Sequence, residues 1–261
     1  MGGKGVVVEV VIPAYNESRR IASTLERCFA YRPPAGHTLR VTVCDDGSTD
    51  DTCAVVEGLT ARFPDLRLLK VGSNKGKGAA VRLGMTQALP DSDLLLLSDA
   101  DLASPIEEVE RLLPHMDHAA VAIGSRALDR SLIQVHQPPH REFMGIIYNR
   151  LVQALLLPGL YDTQCGFKLF RATVAREVFG ASLVDGFSYD VEVLRLATAR
   201  GYRVEEVPVR WSHVGDSKVR LLSAPAAMFW EVAAIARRLG RGPRACRCGA
   251  GAGFPARRIP F

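Results

Sequence analysis

Short apolar runs alternate with amphipathic stretches along most of the chain. Val6 to Ile12 is a near-continuous β-branched run closed by Pro13-Ala14-Tyr15-Asn16-Glu17-Ser18. It predicts a buried strand, then a helix through Ile21, Leu25 and Phe29, with Asn16 or Ser18 placed to cap it. Leu39 to Cys44 and Leu66 to Val71 predict two further strands, each followed by a helix, over Cys53 to Phe63 and Ala79 to Ala88. The four leucines Leu94 to Leu97 suit a strand buried on both faces of a parallel sheet. Pro105 to Met116, with an apolar stripe of Ile106, Val109, Leu112 and Leu113, predicts an acidic-fronted helix. Val121 to Gly124 predicts another strand, and Arg141 to Leu157 a helix whose Phe143, Ile146, Ile147, Leu151 and Leu155 face is expected to pack on the core. Alternating units of this kind imply an α/β fold: a doubly wound sheet with its ligand beyond the carboxyl ends of the strands.

Polar residues collect at those ends. Asp45-Asp46-Gly47-Ser48-Thr49-Asp50-Asp51-Thr52 follows the second strand, Gly72-Ser73-Asn74-Lys75-Gly76-Lys77-Gly78 the third, and Ser98-Asp99-Ala100-Asp101 the leucine run. Side chains two apart on an extended chain point the same way, so Asp99 and Asp101 can aim both carboxylates at one point. Two carboxylates so placed suit a hard divalent cation, Mg2+ or Mn2+; the alternative is that one caps the next helix and the other is exposed. The glycine loop has neither the Walker nor the dinucleotide-binding spacing, and is either a turn before a helix or an anion site at its N-terminus.

The 261 residues fit one domain of soluble composition, expected over 1–239, with a Gly- and Arg-rich tail over 240–261 expected to be disordered. A net charge of +5 admits a phosphate-bearing partner without choosing which. Six scattered cysteines without a signal peptide favour a reducing cytoplasm, and Cys246-Arg247-Cys248 is poor support for zinc. No uninterrupted apolar stretch is long enough to span a membrane. Leu222, Ala226, Phe229, Trp230 and Ala233 fall near helical spacing, which fits either an interfacial helix over Leu221 to Leu239 or a terminal helix docked on the core. Asp129 to His140 is polar and irregular, a lid or acceptor loop or a plain surface connection.

Taken together, Pro13-Ala14-Tyr15-Asn16-Glu17, Asp45-Asp46-Gly47-Ser48, Asn74-Lys75-Gly76-Lys77-Gly78, Asp99-Ala100-Asp101 and Gly124-Ser125-Arg126 resemble the inverting family 2 glycosyltransferases. That resemblance implies a GT-A fold, a Rossmann-like, mostly parallel sheet flanked by helices on both faces. The blocks Asp162-Thr163-Gln164-Cys165-Gly166-Phe167-Lys168-Leu169-Phe170 and Gly186-Phe187-Ser188-Tyr189-Asp190-Val191-Glu192 narrow it to the dolichyl- and polyprenyl-phosphate sugar synthases, above all the dolichyl-phosphate β-glucosyltransferases. The similarity runs from about residue 6 to 239.

The resemblance implies a metal-dependent transfer of glucose from UDP-glucose to a dolichyl or polyprenyl phosphate, at the cytoplasmic face of a membrane with peripheral contact and no nucleic acid. Pro13, Ala14, Tyr15 and Glu17 would hold base and ribose with Asp45, Asp46 and Lys75 or Gly76, and Asp46 could accept a uracil N–H. Asp99 and Asp101, flanking Ala100, would bind Mg2+ or Mn2+ on the diphosphate. Arg126 would meet the acceptor phosphate, and Arg210 and Lys218 would clamp diphosphate and acceptor phosphate. Asp190 stands where the family has a base-like acid. A lipid phosphate is already mostly a dianion at neutral pH, so Asp190 is expected to orient groups rather than take a proton. Related mannosyl synthases carry a metal-reaching Gln where this chain has Ala103, which points away from mannosyl transfer. The competing readings are a polyprenyl-phosphate mannose synthase using GDP-mannose, a nucleotidyltransferase, a processive polysaccharide synthase, and a non-catalytic nucleotide-sugar binding module. Against the processive synthase, Val207 stands where its Q-x-x-R-W motif needs Gln.

Overall fold

The β-branched run at the amino end forms strand β1 (Val6–Ala14), in a computed structural model that describes residues 5–215, 223–240 and 242. On one side β1 pairs in parallel with β2 (His37–Asp45), and β2 with β3 (Leu66–Lys70). On the other side it pairs in parallel with β4 (Leu94–Leu97), every residue of which is buried. Strand order therefore reverses at β1, and the carboxyl ends of β1, β2 and β4 border one crevice.

Beyond β4 the sheet departs from simple parallel winding. β5 (Val121–Ser125) does not adjoin β4; β7 (Lys168–Arg171) lies between them, antiparallel to both, and β8 (Val204–Pro208) closes the edge parallel to β5. The sheet is thus mixed but mostly parallel. Ile133–Val135 (β6) pairs with Trp211–Ser212 (β9) in a separate two-stranded ribbon, so the polar segment after Asp129 is partly ordered by a distant strand.

Helices cover both faces. α1 (Ile21–Ala30), α2 (Thr52–Thr60) and α4 (Val109–Leu112) pack with Val8, Val10 and Ile12 of β1. α3 (Lys77–Thr86), α5 (Pro139–Leu155), α6 (Ala172–Gly180), α7 (Tyr189–Ala199) and α8 (Ser223–Leu239) pack on the face carrying Val11, Leu95 and Leu97. α8 docks through buried Val232 and Ile235 while Trp230 is 78% exposed. No described helix is long and apolar enough to cross a membrane.

Three local expectations are corrected. The helix expected over Pro105 to Met116 is broken into a 3₁₀ turn (Ile106–Glu108), α4 and a second 3₁₀ turn (Leu113–Asp117). Pro114 is the cause, since it lacks an N–H and its ring crowds the carbonyl four residues back. Neither Asn16 nor Ser18 caps α1, whose N-cap is Arg20 without a side-chain bond. Asn16 instead adopts φ 55° and accepts from the Thr49 N–H at 2.7 Å. The face of α5 expected to pack is split: Leu151 and Leu155 pack half-buried on the core, whereas Phe143, Ile146 and Ile147 are exposed, and the residues fully buried are Tyr148 and Val152. Leu221, Leu222, Cys246 and Cys248 lie outside the described residues.

α3 crosses the sheet closely at Gly84, where an added Cβ would lie 2.4 Å from Val11 Cγ1 and 2.5 Å from Cys44 Sγ. Gly84→Ala is expected to lower stability by about 1–3 kcal/mol through overpacking. Gly58→Ala, on an exposed turn of α2 with nothing within 4 Å, is expected to be neutral or stabilising by up to about 1 kcal/mol. Urea unfolding of both variants checks the contrast.

Candidate active site

The loops leaving β1 and β2 are laced by backbone bonds to short polar side chains. The Asn16 N–H donates to Ser48 Oγ at 2.8 Å and the Glu17 N–H to Thr52 Oγ1 at 2.7 Å. Asp45 turns its own loop, its Oδ2 accepting from the N–H groups of Gly47 and Ser48 at 3.0 Å each. Its Oδ1 is buried without a hydrogen-bond partner of good geometry. The Cys53 thiol beside it is a weak donor, pushed up to about 11 by burial and then by the Asp45 carboxylate. Pro13 and Ala14 are buried at the end of β1, and Tyr15 and Glu17 are half-buried just beyond.

Asp46 is tied to the loop that follows β3. Its two oxygens accept from the N–H groups of Lys75 and Gly76 at 2.9 and 2.8 Å, and it is only 3% exposed. It fixes the glycine loop through one bond to each oxygen, which leaves a second lone pair on each. The glycines of that loop serve another backbone: a Cβ on Gly76 (φ 117°) would lie 2.4 Å from the Asp185 carbonyl oxygen, and one on Gly78 would lie 2.5 Å from that of Val184.

The acid pair follows β4 in a turn and not on the extended chain expected: the Leu102 N–H donates to the Asp99 carbonyl at 3.1 Å and Leu102 has φ 46°. Asp101 Oδ1 accepts from the Ala103 N–H at 3.0 Å, so one of its oxygens serves the turn. Burial, and next the charge of Asp99, raise the Asp101 carboxyl above its ordinary value. Lys77 Nζ donates to Asp99 Oδ1 at 2.5 Å. Burial alone would lower the Lys77 ammonium, but Asp99, Asp190 and Asp101 together raise it. Gly166 packs against the same carboxylate; a Cβ there would lie 2.0 Å from Asp99 Oδ2.

Asp190 begins α7, buried against a fully buried Lys168 whose Nζ donates to Asp190 Oδ1 at 2.6 Å and to the Cys165 carbonyl at 2.5 Å. Burial raises the Asp190 carboxyl despite the two lysines that favour its charge. Lys77 and Lys168 escape the sequence reading. The available signal for Lys168 is a cation set inside the apolar run Phe167-Lys168-Leu169-Phe170.

A third group lies across β5. Arg126 donates from Nε and Nη2 to both oxygens of Asp162 at 2.7 and 2.8 Å, with its guanidinium 5.2 Å from the Trp211 ring centre. It lines a cavity of about 300 Å³ together with Arg130, Arg141, Ile146 and Tyr161. A second cavity, of about 410 Å³, is lined by Arg19, Arg20, Arg27 and Asp101. Arg210 lines neither; its Nε pairs with Glu108 Oε1 at 2.5 Å and its backbone N–H donates to Oε2 at 2.9 Å. Lys75 is exposed, and Lys218 lies outside the described residues. Lys77 thus pairs with Asp99 and lies near enough to Asp190 and Asp101 for their charges to act on it, and the Arg126 charge acts on Asp99. Arg210 is held apart on Glu108.

The sequence model described as "Glycosyl transferase family 2" matches residues 9–179. The chain is 37% identical over 227 residues to the dolichyl-phosphate beta-glucosyltransferase ALG5C of Trichomonas vaginalis, covering 83% of this chain and 67% of that protein. It is 36% identical over 231 residues to the dolichyl-phosphate beta-glucosyltransferase of Drosophila melanogaster, with 81% and 69% covered. Among solved structures it resembles glucosyl-3-phosphoglycerate synthase from Mycobacterium tuberculosis in complex with Mn2+, UDP and glucosyl-3-phosphoglycerate, at TM-score 0.65 and 19% identity over 92% of this chain and 82% of that one. It also resembles the mannosyltransferase PcManGT from Pyrobaculum calidifontis in complex with GDP-Man and Mn2+, at TM-score 0.59 and 20% identity over 90% and 65%.

Two outcomes follow from the buried pairs. Lys168→Met strands the Asp190 carboxylate and is expected to cost about 3–5 kcal/mol, part of which Asp190→Asn restores in the double variant; a denaturation cycle measures the coupling. The Arg126 pairing outweighs burial and holds the Asp162 carboxyl below its ordinary value. Its stabilisation is therefore full above an unfolded-state pKa of about 3.9 and lost as pH falls through the lower folded-state value. The stability difference between the wild type and Asp162→Asn is expected to shrink over that acid window, as read by unfolding at a series of pH values.

Proposed function

The chain belongs to glycosyl transferase family 2, and we propose that it moves glucose from UDP-glucose to the phosphate of a dolichyl or related polyprenyl lipid, with inversion at the anomeric carbon. Its fold is of the GT-A type. The observation that carries the lipid acceptor is the company Arg126 keeps. Its arginine-lined cavity includes Ile146 of α5, whose neighbours Phe143, Met144 and Ile147 are also exposed. A phosphate joined to a hydrocarbon chain needs both surfaces side by side.

The acid centre fits a divalent cation. Asp99, Asp101 and Asp190 are opposed by the ammonium groups of Lys77 and Lys168, which leaves one negative charge in surplus in a partly desolvated place. Hard carboxylate oxygens of this kind suit Mg2+ or Mn2+. Asp99 and Asp101 would hold the ion, which when bound neutralises charge growing on the leaving diphosphate.

The chain's own residues do the rest. The loops at Pro13, Ala14, Tyr15 and Glu17 hold the nucleoside together with Asp45 and Asp46. Asp46 keeps Lys75 and Gly76 in position beneath it. Arg126, oriented by Asp162 and Trp211, holds the acceptor phosphate. One of that phosphate's oxygens forms the new bond to the anomeric carbon as the bond to the diphosphate breaks and its electron pair leaves on UDP. A dianionic phosphate needs no base, and Asp190, bound to Lys168, acts as a positioning group. Arg210 reaches a diphosphate only by exchanging Glu108 for it. The lipid acceptor puts this work at a membrane surface, and we assign it peripherally to the cytoplasmic face.

The test is purified protein with UDP- and GDP-sugars and short polyprenyl phosphates, reading labelled lipid and released nucleotide. UDP-glucose is expected to turn over, chelator to stop it, and Mg2+ or Mn2+ to restore it. Asp99→Asn and Asp101→Asn are each expected to lower kcat by about 10²-fold or more while far-UV dichroism is unchanged. Donor binding without turnover would leave a binding module. Transfer from GDP-mannose alone would reassign the sugar, and near-native rates in both variants would remove the metal role.

A further inference from the structure

A second cluster of ligand-type side chains stands apart from the acid centre. The 3₁₀ turn Leu113–Asp117 is closed by a bond from the His118 N–H to the His115 carbonyl at 3.2 Å. At three residues per turn, positions three apart eclipse, so the two imidazoles rise on one side. Both meet Glu205 of β8: its Oε2 lies 2.5 Å from His115 Nδ1 and 3.0 Å from His118 Nε2. The other carboxylate oxygen, Oε1, pairs with Arg203, which sets the tilt of the group.

We propose that His115, His118 and Glu205 form a site for a borderline divalent transition ion such as Zn2+, with water completing four-coordination. The three ligand atoms lie within 4.8 Å of one another. Tetrahedral zinc with bonds of about 2.0–2.2 Å needs ligands about 3.3–3.6 Å apart, so each imidazole backs away from Glu205 by less than about 1.2 Å while the two ring nitrogens settle at that spacing from within 4.8 Å. Two imidazoles and one carboxylate favour zinc over the hard ions suited to Asp99 and Asp101. Side-chain exposures of 35%, 47% and 17% leave the ion a path in and room for water. The site lies on the edge strand. Glu206, which follows Glu205 and points to the other face of the sheet, accepts from Ser125 Oγ at 2.6 Å and from the Tyr161 N–H at 2.8 Å. An ion on Glu205 therefore pins the 3₁₀ turn to the strand that supports the Arg126 cavity.

The experiment is calorimetric Zn2+ titration of the full chain, with Co2+ as an optical probe. One Zn2+ is expected to bind the wild type and Asp101→Asn alike and to raise Tm. Co2+ is expected to give the absorption of a four-coordinate site. His118→Ala and Glu205→Gln should each weaken binding at least tenfold, and His115→Ala/His118→Ala should abolish both the Tm rise and the Co2+ bands. Should the double variant lose its far-UV dichroism, His118→Gln and Glu205→Gln decide by the same tenfold criterion. Absence of Zn2+ binding in the wild type, or binding of undiminished affinity in these variants, overturns the assignment.

Discussion

The structure depends on keeping three carboxylates near one another, Asp99 and Asp101 after one short strand and Asp190 at the start of α7, each within reach of the others' charge or of Lys77. Asp99, Asp101 and Asp190 repel one another in a partly desolvated place, and such a group survives folding only when cations are brought to it. Lys77 comes from the start of α3 and Lys168 from β7, and neither is near Asp99 in sequence. Two further cations act on the acid pair, Arg126 on Asp99 and Arg20 on Asp101, but Arg126 is committed to Asp162 and Arg20 to Glu17.

The antiparallel strand β7 follows from that requirement. Inserted between β4 and β5, it pairs Lys168 with Leu97, the last residue before Ser98 and Asp99. The turn feeding it places Gly166 against Asp99, where any side chain would collide with the carboxylate. A further parallel strand would enter this edge from the opposite end and could not bring Cys165-Gly166-Phe167 to the acid pair. The topology of the sheet and the chemistry at its edge are therefore one arrangement.

This also separates what was legible in the sequence from what was not. The units from β1 to β4 are built from contiguous runs whose ends carry their own polar loops, so strands, helices and acid positions could be read locally. The half beyond β4 is held by distant pairs: Arg126 with Asp162, Lys168 with Asp190, Arg210 with Glu108. No period in the sequence reports such partners. Lys168 sits in a strand of four residues, too short for a pattern, and Glu108 lies in a helix that Pro114 breaks. The exposed face of α5 misled for a related reason, since apolar spacing on a helix says which residues share a side and not what lies opposite it.

Asp45 and Asp46 show how adjacent identical residues divide their work. Successive side chains at a strand end leave on opposite sides. Asp46 meets the backbone of the glycine loop and spends both oxygens there, while Asp45 spends one oxygen on its own turn and keeps the other. A carboxylate oxygen buried without a good donor is costly unless a ligand supplies one. Both acids thus brace loops at the carboxyl end of β2, Asp46 the glycine loop and Asp45 its own turn.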